Sequence, residues 1–118
     1  MIKVLVVDDD KLARKGIISL IHEGNYNMQV VGDVQNGRVA LEFLEKEMVD
    51  LIFVDIDMPE MTGLELMHIC KERFPKIKFV VLTFYEEFNY IQQALRLGAL
   101  DYISKLRRLF CNSWGRIF

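Results

Sequence analysis

Residues 2–9 read Ile-Lys-Val-Leu-Val-Val-Asp-Asp, an apolar run that ends abruptly in two acids. A short run rich in branched residues favours a β-strand over a helix. Similar runs recur along the chain, and the five predicted strands are Ile2 to Val7, Val30 to Val34, Leu51 to Val54, Phe79 to Leu82 and Leu100 to Ile103. Because these runs are nearly continuous rather than alternating with polar residues, we expect a parallel sheet that is covered on both faces.

Segments with a helical spacing of apolar residues separate the predicted strands. The two clearest stripes contain Leu12, Ala13, Gly16, Ile17, Leu20 and Ile21, and then Val39, Ala40, Phe43 and Leu44. Weaker stripes follow at residues 66–73 and 88–95, and Gly98 stands where a helix C-terminus favours glycine. This alternation predicts a doubly wound α/β fold, and we expect the flavodoxin-like strand order 2-1-3-4-5.

Composition limits the class of protein. The 118 residues are enough for one domain, and 52% of them are hydrophobic, as expected of a chain that folds alone. The net charge of −2 argues against direct binding of nucleic acid. The first apolar run is too short for a signal peptide or a membrane span, so we expect a cytoplasmic protein without a membrane partner. The two cysteines lack metal-type spacing and receive no role.

Polar residues stand at the carboxyl ends of four of the five predicted strands. They are Asp8 and Asp9, Asp55, Thr83 and Lys105. In the expected strand order the first and third strands are neighbours, which brings the three acids into one pocket. Like charges at such short separation repel one another unless a cation neutralises them, and carboxylate oxygens suit Mg²⁺. We therefore expect a magnesium site at this edge of the sheet.

A carboxylate beside such a metal site is able to act as a nucleophile toward phosphorus. Asp55 fits the nucleophile, while Thr83 and Lys105 fit groups that stabilise charge on the phosphoryl oxygens. Each residue alone has an ordinary explanation, and for Asp10 we prefer the role of helix N-cap. The convergence of acids, hydroxyl and ammonium at one edge favours the functional interpretation.

These residues resemble the response-regulator receiver family. The matching motifs are Val-Leu-Val-Val-Asp-Asp at 4–9, Asp-Ile-Asp-Met-Pro-Glu-Met-Thr-Gly at 55–63, Thr83, and Gly-Ala-Leu-Asp-Tyr-Ile-Ser-Lys at 98–105. The resemblance covers residues 1–105, which we assign to one receiver domain. It implies a signalling domain rather than an enzyme, with a sensor histidine kinase as the phosphoryl donor.

The resemblance also implies a role for each site residue. Asp9, Asp55 and the backbone carbonyl of Asp57 would hold Mg²⁺, and Asp8 would assist through water. Thr83 and Lys105 would bind the phosphoryl oxygens. A larger side chain, Phe84, stands where the family usually has a small residue, and Asp57 puts a carboxylate at a position that tunes phosphoryl lifetime in the family.

Tyr102 matches the aromatic switch residue of the family, although an aromatic that merely covers core is equally compatible with the sequence. As a switch it would turn inward together with a movement of Thr83, so that the fourth helix and fifth strand report phosphorylation. Residues 84–90 resemble receivers that are attached to AraC-type DNA-binding domains. We therefore expect a DNA-binding output domain in the full-length protein.

Residues 106–118 depart from the family. Leu106 replaces the usual proline, and the last helix is expected to be atypical or missing, so we assign 106–118 to a C-terminal tail. If no helix forms there, the uncovered flank of the sheet favours a homodimer, domain swapping or aggregation.

Two other functions remain open at this point. One is a receiver-like interaction module that never accepts phosphate, which Phe84 and Leu106 favour. The other is a phosphatase of the haloacid-dehalogenase type, since Asp55-Ile-Asp57 resembles the nucleophile motif of that family, but Pro59 and the short chain argue against it.

Overall fold

The computed structural model describes residues 1–24, 26–83 and 88–104, apart from the side chains of Phe88, Tyr90 and Ser104. Within them the strands are β1 (Ile2–Val7), β2 (Met28–Val34), β3 (Leu51–Asp55), β4 (Lys78–Thr83) and β5 (Ala99–Ser104). The helices are α1 (Lys11–Gly24), α2 (Gly37–Lys46), α3 (Gly63–Arg73) and α4 (Phe88–Arg96). The predictions for Phe84, Lys105, Leu106 and the tail 106–118 fall outside the described residues. No helix in the described part is long and apolar enough to cross a membrane.

The five strands form one sheet in the order β2-β1-β3-β4-β5, and every neighbouring pair is parallel. The predicted flavodoxin-like α/β fold and its strand order 2-1-3-4-5 are therefore confirmed. With parallel strands, all the carboxyl ends lie along one edge of the sheet. The polar residues that end these strands consequently share that edge.

The core lies on both faces of the sheet, because side chains alternate between the two faces along each strand. One cluster joins residues of β1 and β3, such as Val6 and Phe53, to Ile17 and Ile21 of α1. The other cluster packs the alternate strand residues against α2 and α3, and it includes Leu66. Phe53 is fully buried, so truncating it to alanine would cost about 3–5 kcal/mol.

Several predicted boundaries differ from the structure. β2 begins two residues earlier than predicted, because Met28 and Gln29 pair with Ile2 and Lys3 of β1. β3 includes Asp55 and β4 includes Thr83, so these residues are the last of their strands rather than the first beyond them.

The prediction that Leu12 belongs to the buried stripe of α1 is wrong, since it is 77% exposed. Leu12 precedes the buried Ile17 by five residues, which places it about 140° around the helix. Gly98 has φ of 96° and follows the end of α4, which confirms it as a C-terminal glycine.

Candidate functional site

The sheet register brings the first and third strands together at their carboxyl ends. Val7 of β1 is paired directly with Val54 of β3, so Asp8, just beyond β1, lies beside Asp55, the last residue of β3. One carboxylate oxygen from each of Asp8, Asp9 and Asp55 lies within 4.8 Å of the other two. The structure thus gathers all three acids that the sequence placed in one pocket.

Burial differs among the three acids. Asp8 is fully buried and Asp55 is 4% exposed, whereas Asp9 is open to solvent. Burying two ionised carboxylates costs free energy unless a positive charge lies beside them. Three carboxylates that converge in this way fit a hard divalent cation with oxygen ligands, such as Mg²⁺. The donor set therefore suits the ion that the sequence analysis expects.

Backbone amides hold the two buried carboxylates from the loops that follow them. The Asp10 N–H donates to Asp8 Oδ1 at 2.9 Å, and the Asp57 N–H donates to Asp55 Oδ1 at 3.1 Å. Both are contacts from an acid to the amide two residues on, a turn that aspartate forms readily. The Asp10 side chain in turn accepts from the Leu12 N–H at 3.0 Å, as expected of an N-cap.

The loop between β3 and α3 is closed by a capping box. Thr62 Oγ1 accepts from the Glu65 N–H at 3.2 Å, and Glu65 Oε1 accepts from the Thr62 N–H at 3.3 Å. Met58 anchors the loop in the core with 4% exposure, while Asp57 faces solvent. The loop that carries the predicted Asp57 carbonyl ligand is thus fastened at both its middle and its end.

Thr83 ends β4, the strand on the other side of β3. Asp55 is paired with Leu82, so Thr83 lies one residue beyond the partner of Asp55, and it is 6% exposed. On β5, Tyr102 is 37% exposed, and Thr83 is paired with Ser104. Lys105, the residue after Ser104, lies outside the described residues.

Sequence reasoning missed Arg14 of α1. Its Nη1 donates to the carbonyl oxygen of Asp8 at 2.6 Å, and its Nε donates to Asp33 Oδ2 at 2.9 Å. The signals that pointed to it were weak: a basic residue one turn into the helix behind the acids, and an acid one residue before the end of β2.

Residues 4–109 match the response regulator receiver domain, a signalling module of two-component systems. This chain belongs to that family, as its fold and acidic edge already suggested.

Two bacterial regulators illustrate the similarity. The chain is 37% identical over 105 residues to the transcriptional regulatory protein YdfI of Bacillus subtilis, covering 89% of this chain and 48% of that protein. It is 39% identical over 104 residues to the response regulator protein VraR of Staphylococcus saprophyticus, covering 88% and 49%. The chain thus spans about half the length, or less, of the curated relatives that it matches.

A solved structure shares both the fold and substantial sequence. The receiver (REC) domain of AraT, a response regulator from Geobacillus stearothermophilus, superposes with a TM-score of 0.85 at 38% identity. The alignment covers 98% of this chain and 91% of that one. The response regulator domain of Thermotoga maritima CheB has a TM-score of 0.83 at 28% identity, covering 99% and 93%.

Proposed function

We propose that this chain is a phosphoacceptor: Asp55 takes up one phosphoryl group in the presence of Mg²⁺. The observation that carries the proposal is the approach of Asp8, Asp9 and Asp55 to within 4.8 Å at the end of the central strands. Family membership supports the same conclusion. No other set of three acidic, histidine or cysteine side chains with this spacing occurs among the described residues.

Asp9, Asp55 and the backbone carbonyl of Asp57 would hold Mg²⁺, with Asp8 acting through water. When bound, the ion would offset the charge of the acids and of the phosphoryl oxygens. Asp8 is buried and held by the Asp10 amide, so its place in the pocket is set before any ligand arrives. Asp9 is exposed, so its carboxylate would be accessible to an ion that enters from solvent.

In the transfer step, a carboxylate oxygen of Asp55 bonds to phosphorus while the P–N bond of a phosphohistidine on the donor kinase breaks. The freed imidazole nitrogen takes up a proton, and Asp55 becomes an acyl phosphate. The Asp57 amide, which donates to Asp55 Oδ1 at 3.1 Å, would orient the carboxylate for this step. Thr83 would donate its hydroxyl to a phosphoryl oxygen, and Lys105 would place its ammonium beside another.

Phosphorylation would then shift a two-state equilibrium around Thr83 and Tyr102. These residues lie on the adjacent strands β4 and β5. Tyr102 is partly exposed, so an inward turn toward the space left by a displaced Thr83 would change the surface of α4 and β5. A partner that binds one of the two arrangements more tightly would respond to the phosphoryl group.

The output of this signal is proposed to be transcriptional. Relatives named as transcriptional regulatory proteins are 37% and 32% identical to this chain, which covers 48% and 44% of their lengths. A DNA-binding output domain would place the protein in the cytoplasm with its kinase. A protein-glutamate methylesterase/protein-glutamine glutaminase of Treponema pallidum is also 37% identical, so an enzymatic output is the second candidate. The reading frame after residue 118 discriminates between the two.

The phosphoacceptor role is tested by intact mass spectrometry after incubation with acetyl phosphate and Mg²⁺. We expect the wild-type chain to gain the mass of one phosphoryl group and Asp55→Asn to gain none. Asp50→Asn is a matched control, because this acid is exposed at the opposite end of β3, where its side chain accepts a hydrogen bond from the Lys3 amide.

The rival functions predict other results. A wild-type chain that gains no mass would favour an interaction module that is never phosphorylated. Steady turnover of phosphate esters at enzyme-like rates would favour a phosphatase and contradict the proposal.

A further inference from the structure

We propose that Arg14 is a positioning residue for the acidic site, and that it sets the affinity for Mg²⁺ by fixing the peptide between Asp8 and Asp9. The inference rests on the proposed function, because it assumes that these acids hold the ion. It assigns a role to a residue on α1 that carries no ligand atom itself.

The guanidinium of Arg14 joins three parts of the fold. It donates through Nη1 to the Asp8 carbonyl at 2.6 Å and through Nε to Asp33 Oδ2 at 2.9 Å. The Arg14 side chain is 12% exposed, and its bond to the Asp8 carbonyl is partly buried, whereas its bond to Asp33 is open to solvent. Asp33 is paired with Val6, which puts the anchor on β2 beside the end of β1. A single side chain therefore connects α1, the end of β1 and the end of β2.

The geometry of the guanidinium favours a rigid contact here. Exposed ion pairs contribute little to stability, and the Asp33 side chain of the Arg14–Asp33 pair is 42% exposed. The planar guanidinium, however, presents its donors in fixed directions, so a bond from Nε to Asp33 determines where Nη1 points. Asp33 thus orients Arg14, and Arg14 orients the Asp8 carbonyl.

The Asp8 carbonyl belongs to the peptide that links Asp8 to Asp9. The Cα atoms of Asp8 and Asp9 are the two ends of this peptide. Rotating the peptide would therefore change the distance between the two carboxylates. The neighbouring bonds hold other atoms of the turn: the Asp8 N–H donates to the Val34 carbonyl at 3.1 Å, and the Asp10 N–H donates to Asp8 Oδ1 at 2.9 Å. Arg14 contacts the carbonyl oxygen itself.

Charge and position predict opposite effects when Arg14 is removed. A cation near three acids repels Mg²⁺, so the loss of its charge alone would make Mg²⁺ bind more tightly. The loss of positioning would make Mg²⁺ bind more weakly, because the ligands must be reorganised on binding. Removing a group that orients metal ligands typically weakens metal binding by roughly 10- to 100-fold. We therefore expect the loss of positioning to outweigh the loss of charge, so that Mg²⁺ binds more weakly.

The test is a calorimetric titration of Mg²⁺ into the full chain. We expect Arg14→Gln to raise the dissociation constant about tenfold, the lower end of that range, because Arg14 acts through a backbone carbonyl. Lys15→Gln is the matched control, since it removes the same charge from the exposed neighbouring position of α1 and should leave the affinity unchanged or slightly tighter. Asp33→Asn should raise the dissociation constant less than Arg14→Gln does, because Arg14 remains but loses its charged anchor.

Thermal unfolding in a chelator separates positioning from general stability. If Arg14→Gln lowers the melting temperature but binds Mg²⁺ as the wild type does, or more tightly, the positioning role is overturned while the phosphoacceptor proposal stands. If Arg14→Gln fails to fold, the decision passes to Asp33→Asn and Arg14→Lys: wild-type affinity in both would overturn the inference. A wild-type chain that binds no Mg²⁺ would overturn both proposals.

Discussion

Gly63 lies directly against the backbone of Asp55. A Cβ at residue 63 would overlap the Asp55 carbonyl oxygen and would stand 2.9 Å from the Cα of Ile56. The Gly63 N–H donates to the Ile56 carbonyl at 2.9 Å, so α3 begins on the segment that leaves β3 just after Asp55. The position of Asp55 therefore depends on the absence of a side chain eight residues later.

Gly63→Ala should displace the Asp55 backbone, because the obstructing atoms are main-chain atoms that cannot rotate away. We expect the variant to lose about 1–3 kcal/mol of unfolding free energy. We also expect it to accept a phosphoryl group from acetyl phosphate more slowly than the wild type does. Urea unfolding and timed intact-mass measurements would check the two effects. Gly16→Ala is the control: residue 16 is on the exposed side of α1 and an added Cβ would have nothing within 4 Å, so this change should stabilise the helix by up to about 1 kcal/mol. Wild-type behaviour of Gly63→Ala in both measurements would contradict this account.

Thr62→Ala should destabilise the protein by about 1 kcal/mol, because it removes the acceptor for the Glu65 amide at the start of α3. Thr62→Ser keeps a hydroxyl in the same place and should lose much less. Denaturant midpoints of the three proteins would measure the difference. Equal losses in the alanine and serine variants would show that the methyl group, not the hydrogen bond, carries the effect.

Mg²⁺ should raise the melting temperature of the wild-type chain, and a chelator should reverse the rise. An ion present at 100 times its dissociation constant stabilises the folded state by about 2.7 kcal/mol. Asp9→Asn should respond to Mg²⁺ much less, yet without the ion it should melt slightly higher than the wild type, since one of three repelling charges is gone. Sodium chloride at equal ionic strength controls for screening. A wild-type and an Asp9→Asn chain with the same response to Mg²⁺ would exclude this residue as a ligand.

Cys70 should make the protein less stable in alkali. Burial raises the pKa of this thiol from 9.0 to about 11, against a smaller lowering by Arg73. Because the folded state keeps the proton to higher pH than the unfolded state, the stabilising contribution is complete below pH 9 and is lost as the pH rises toward 11. The loss should be on the order of 2–3 kcal/mol at most.

That pH dependence is measured by urea unfolding between neutral and alkaline pH in a Cys111→Ser background, so that Cys70 is the thiol that titrates. Comparison with a chain that also carries Cys70→Ala isolates its part, since the lysines and tyrosines are common to both. The alanine variant should be less stable at neutral pH, and the gap should narrow in alkali. A constant gap would disprove the shift.

Much of the site could be predicted because its residues mark the ends of local patterns. Asp8 and Asp55 each terminate a buried apolar run, and parallel strands with neighbouring positions must bring such ends together. The predictions were wrong where strand pairing determines the length of a strand or where the orientation of a helix determines which side chains are buried. β2 extends back to Met28 because β1 offers partners there, and Leu12 faces solvent because the sheet contacts the opposite side of α1.

The sequence by itself determined the alternation of strands and helices, the polar residues at the strand ends and the family resemblance. All three depend on short runs of neighbouring residues. Only the tertiary structure decided that Arg14 reaches both Asp33 and the Asp8 carbonyl, and that Gly63 touches the Asp55 backbone. These contacts join positions whose separation along the chain says nothing about their distance in space. They depend on how closely each helix packs against the sheet, which is settled by the side chains of the whole core.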